Sequence, residues 1–86
     1  MNLKKHFGRN LKYYRFQNNF TQEQLATKSN ISVNYLISLE RGEYSPNFEL
    51  IETLSKNLGI EVYQLFLEPK DITLPRRIDM INTDEK

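Results

Sequence analysis

Val33, Asn34 and Ser38 fall in a short helical pattern, on the side that helical phase sets opposite Leu36 and Leu39. Their side chains suit recognition and not bond-making. An Asn amide can pair in a bidentate manner with N6 and N7 of adenine. A Val can pack on a thymine methyl, and a Ser hydroxyl can donate or accept. Groups for catalysis are sparse. The chain has one histidine and no cysteine. His6 lies in a basic stretch with no carboxylate cluster or second histidine beside it. The sequence holds no nucleophile elbow, phosphate-cradling loop or metal-ligand spacing. No enzyme activity, metal, cofactor or small-molecule ligand is expected.

These three residues sit inside T-Q-E-Q-L-A-T-K-S-N-I-S-V-N-Y-L-I-S-L-E-R-G, residues 21–42. The stretch reads as two short helices joined by a tight turn. Thr21 is suited to cap the first of them, and Gln24 three residues on completes a capping box. Ser29-Asn30 ends that helix, because Asn tolerates the left-handed backbone of a sharp turn. Ser32 caps the next helix, which runs to about Arg41 and stops at Gly42. Leu25, Ala26, Ile31, Leu36 and Leu39 are its expected core. Two helices so arranged, the second opening on polar side chains, form the pattern of a helix-turn-helix that lays one helix in the DNA major groove.

Three further elements complete the expected fold. Leu3, Phe7, Leu11 and Tyr14 recur at steps of four, four and three, which predicts a helix from about Leu3 to Gln17. Ser45-Pro46-Asn47 reads as a loop into a fourth helix, with Leu50, Ile51, Leu54 and Leu58 as its stripe and Gly59 as its end. Residues 60–67 are short and very apolar. They read as a fifth helix, although their β-branched and aromatic content also fits a strand. The expectation is an all-α domain over residues 1–67 and an extended or loosely ordered tail over 68–86.

Composition bounds the rest. Eighty-six residues make one small domain with a modest core. Net charge is only +1, but it is uneven. Residues 1–22 hold Lys4, Lys5, Arg9, Lys12 and Arg15 and no acid, about +5. The remainder holds seven bases and all eleven acids, about −4. This asymmetry suits a polyanion at one end, and it also fits an ordinary solvated basic helix face. No apolar run approaches the roughly 20 residues of a membrane span, and no signal peptide is expected. The expected location is the cytoplasm, with no membrane partner.

With these elements placed, the chain resembles the Cro/cI-type repressors, also called Xre-like helix-turn-helix regulators. The likeness rests on F-G-x-N-L-K-x-x-R at residues 7–15, T-Q-E-Q-L-A at 21–26 and Y-x-x-x-L-E-R-G at 35–42. The L-x-x-x-L-x-x-x-L-G-I run at 50–60 extends it. The resemblance implies a compact five-helix, lambda-repressor-like DNA-binding domain. It implies that Val33, Asn34 and Ser38 face the base edges of double-stranded DNA. It places Gln22, Tyr35 and Arg41 near the phosphate backbone, with Tyr35 alternatively part of the core. It implies a structural ion pair between Arg15 and Glu40, with Arg15 on a phosphate as the alternative. Two positions depart from the family's pattern: Asn30 stands where Gly is frequent, and Glu43 where Lys or Arg is.

A single small module binds DNA modestly, so a homodimer on a (pseudo)palindromic operator is expected. Ile60, Tyr63, Phe66 and Leu67 are the candidate joining surface, because residues 60–67 carry more apolar side chains than one short helix needs for its own core. The expected role is an autoregulatory transcriptional regulator of the phage or plasmid repressor or restriction-modification controller type. The alternative is an antitoxin or protein-binding module that uses the fourth and fifth helices.

Overall fold

The computed structural model describes residues 2–68. Four α-helices follow one another: α1 (Leu3–Gln17), α2 (Gln22–Lys28), α3 (Val33–Glu40) and α4 (Phe48–Leu58). A 3₁₀ turn, Val62–Phe66, follows α4. Among the described residues no strand occurs.

Local chemistry sets the helix starts. Asn2, Thr21, Ser32 and Asn47 stand before the four helices in extended backbone, and each side-chain oxygen accepts an early N–H of its helix. At α2 the cap is reciprocal. Thr21 Oγ1 accepts from the Gln24 N–H at 3.0 Å, and Gln24 Oε1 accepts from the Thr21 N–H at 2.8 Å. The turns after α1 and α2 pass through positive φ at Asn19 (59°) and Asn30 (62°). Asn reaches this region at low cost, because its short polar side chain bonds locally.

The core joins all five elements. Phe7 and Leu11 of α1, Leu25 and Ala26 of α2, Leu36 and Leu39 of α3, Ile51, Leu54 and Leu58 of α4, and Leu65 of the 3₁₀ turn form one buried cluster. The α1 stripe is shorter than its spacing implies, since Leu3 is 50% exposed and Tyr14 is half-buried. Ile31 packs against the cluster from the turn between α2 and α3.

The fifth helix expected from residues 60–67 is instead the five-residue 3₁₀ turn. Its reason lies in α1. The Asn10 amide nitrogen, buried in the interior, donates to the carbonyl of Leu65 at 3.0 Å and to that of Leu67 at 2.7 Å. Two carbonyls held by one side chain draw the segment back onto α1, and Leu67 is already extended (φ −66°, ψ 150°). Gln64 adds a bond from its Nε2 to the Tyr14 hydroxyl at 3.3 Å. The tail over 69–86, with Arg76 and Arg77, lies outside the described residues.

Candidate nucleic-acid interface

The central helix of the candidate site, α3, is held from both sides. Its inner edge, Leu36 and Leu39, is fully buried. At its C-terminal end it meets α1 so closely that a Cβ on Gly8 would lie 2.6 Å from the Glu40 carbonyl oxygen. Only a residue without a side chain permits that approach.

An ion pair locks the same crossing. Arg15 Nε donates to Glu40 Oε2 at 2.6 Å and Arg15 Nη2 to Glu40 Oε1 at 3.1 Å, the forked geometry that guanidinium and carboxylate share. Both side chains are interior, 0% and 3% exposed. Arg15 Nη1 also donates to the Phe20 carbonyl at 3.0 Å, which fixes the α1–α2 turn. The guanidinium carbon stands 4.8 Å from the centre of the Phe16 ring. The pair therefore binds α1, the following turn and α3 into one unit. It is the buried geometry in which loss of one partner is severe.

The Glu40 carboxylate accepts a third hydrogen bond, from a second residue. Gln22 Nε2 donates to its Oε1 at 3.0 Å. Gln22, the first residue of α2 and expected at a phosphate, is thus oriented from within the protein. Its side chain is half-buried.

The outer face of α3 differs from the helical-phase expectation in one place. Asn34 is exposed, and among the described residues no hydrogen bond holds its side chain. Ser38 is half-buried and lies one turn further along. Val33 is half-buried and packs against the core. It precedes Leu36 by three residues, about 300° of rotation, so it stands beside Leu36 and not across from it. Arg41, at the C-terminal end of α3, is exposed. Tyr35 is half-buried against the core, with its ring 6.2 Å from that of Tyr44.

Charge gathers at the same end. Lys5 Nζ reaches the Arg41 carbonyl at 3.5 Å, where the helix end favours a cation. Lys4, Lys5 and Arg9 are exposed along the first half of α1. The basic N-terminal turns of α1 are thereby brought beside Arg41, a placement the sequence alone does not reveal.

A family model described as helix-turn-helix matches residues 11–65. The chain belongs to the Cro/cI-type helix-turn-helix family. This regulator is 38% identical over 61 residues to an uncharacterised HTH-type transcriptional regulator of Methanocaldococcus jannaschii, covering 71% of this chain and 92% of that one. It is 40% identical over 55 residues to the immunity repressor protein of Bacillus phage phi105, covering 64% of this chain but only 38% of the phage protein. Among solved structures it is similar to the restriction-modification controller protein C.AhdI from Aeromonas hydrophila, with a TM-score of 0.70 and 32% identity. That match covers 73% of this chain and 96% of the other. The clp gene regulator ClgR from Corynebacterium glutamicum gives a TM-score of 0.73 at 32% identity, over 77% and 70% of the two chains. The regulator is a DNA-binding transcription factor of the Xre/cI type, in a family of transcriptional regulators. No helix among the described residues is long and apolar enough to cross a membrane.

Sequence reasoning missed Gly8 and Asn10 as structural residues. Both lie in the F-G-x-N motif, and a Gly and an Asn inside a helical pattern are the signal that could have found them. It also missed Asn57, whose Nδ2 donates to Ser29 Oγ at 3.0 Å and ties α4 to the end of α2.

Proposed function

We propose that the protein reads an operator in double-stranded DNA with the outer face of α3. Asn34 supplies a bidentate amide, Ser38 a hydroxyl, and Val33 an apolar margin at the start of the helix. Gln22, Tyr35 and Arg41 contact the phosphate backbone and set the register. The observation that carries this reading is Asn34: an exposed amide in the first turn of a helix whose opposite edge is wholly buried.

The protein acts as a homodimer on two half-sites about one helical turn apart, roughly 34 Å. Tyr63 at 64% exposure, Leu67 at 50% and Val62 are exposed apolar side chains beyond α4, and their exposure supports a joining surface there. Ile60 and Phe66 pack against the core and would act as its base. Similarity to an immunity repressor and to a restriction-modification controller supports a cytoplasmic, autoregulatory role.

Selection of bound sequences from a random DNA pool, followed by titration in salt, tests the reading. A sequence reader enriches a palindromic site and keeps its preference while absolute affinity falls with salt. A protein-binding module of the antitoxin type, using α4 and the turn after it, enriches none, and that result overturns the proposal.

A further inference from the structure

Asn34 and Ser38 are polar, but the outer face of α3 also carries one large apolar side chain, Ile37. It is half-buried, yet it is not among the partly buried hydrophobics that pack against the core, whereas Val33 and Tyr35 are. The backbone explains the difference. Ile37 follows Asn34 by three residues and precedes Arg41 by four, both exposed, while its other neighbours, Val33 and Glu40, turn inward, so it lies at the inner margin of the outer face. The helix is regular there, with the Arg41 N–H bonded to the Ile37 carbonyl at 3.0 Å.

We propose that Ile37 is a specificity-determining residue that recognises the 5-methyl group of a thymine neighbouring the adenine read by Asn34. This rests on the DNA reading above and extends it to a position outside the expected contact set. Three residues of helix advance about 4.5 Å, between one and two base steps of about 3.4 Å, so Ile37 reaches a base pair adjoining that of Asn34. The thymine methyl is the apolar feature of the major-groove edge, and an aliphatic side chain is its natural partner.

The test uses the selected operator with uracil placed at each thymine in turn, so that a single methyl is removed from the DNA and the protein is unaltered. Wild type is expected to lose about four-fold in affinity at one thymine next to the Asn34-dependent pair, the equivalent of one buried methyl. In Ile37→Ala the uracil effect at that thymine disappears while the Asn34-dependent preference remains. A thermal melt of Ile37→Ala checks that it folds. Uracil operators that bind wild type as tightly as thymine operators overturn the assignment alone. So does an Ile37→Ala variant that keeps the uracil sensitivity. A chain that selects no sequence at all overturns the DNA reading, and this assignment with it.

Discussion

Gly8 and Leu39 meet backbone to backbone: a Cβ added to Gly8 would lie 2.5 Å from the Leu39 carbonyl oxygen. The neighbouring atoms are main chain and cannot rotate away. Gly8→Ala must therefore push α1 off α3, although Ala is the better helix former by about 1 kcal/mol. The expected net loss is about 1–3 kcal/mol, as for other overpacked contacts, read from the urea unfolding midpoint. An unchanged midpoint would mean that the crossing is looser than the structure gives.

Glu40→Gln keeps the shape of the side chain but removes the charge facing Arg15. A buried guanidinium loses its counter-ion, and stability should fall by about 3–5 kcal/mol. The double variant Arg15→Met, Glu40→Leu should recover part of that loss, because no lone charge is left inside. A double-mutant cycle that came out additive would contradict a coupled pair.

Asn10→Leu leaves the Leu65 and Leu67 carbonyls without their donor. The expected loss is about 1–3 kcal/mol. Amide exchange should quicken first across residues 62–66, with α2 left protected. Uniform quickening would show that Asn10 supports the whole core and not this turn.

Asn30→Val places a β-branched residue at φ 62°, a strained conformation worth about 1–3 kcal/mol. Asn30→Gly should change stability by only a few tenths of a kcal/mol. The two thermal melts together separate backbone strain from any side-chain contact at this turn.

Asn34→Ala should leave stability within about 0.5 kcal/mol, since the side chain is exposed. Affinity for the selected operator should drop by about 1–3 kcal/mol, with relaxed preference at one base pair. A variant that weakened on all sequences with the ranking intact would place Asn34 on the backbone instead.

Much of this molecule was legible in its local sequence. A cap depends on one side chain and the N–H three residues on, so Thr21 with Gln24, and Ser32, announced two helix starts. A positive φ needs Asn or Gly, so Asn30, Gly42 and Gly59 marked the ends. The Arg15–Glu40 pairing, 25 residues apart, came only from family resemblance.

Contacts between distant segments were not legible, because hydrophobic periodicity says which side of a helix is buried and not what buries it. Nothing local tells that Gly8 lies under α3, or that Asn10 takes the carbonyls that turned an expected fifth helix into a 3₁₀ turn. The sequence by itself determined the four α-helices, the caps at Thr21 and Ser32 and the polar edge at Asn34, but not the caps that Asn2 and Asn47 supply to α1 and α4. Tertiary packing alone decided that Gln22 is held by Glu40 and that Lys5 comes to rest beside Arg41, whereas the lean of Val33 on the core already followed from its three-residue spacing to Leu36. The reason is physical: caps and turns act within a few residues, whereas a burial or a buried hydrogen bond depends on which surfaces the folded chain brings together.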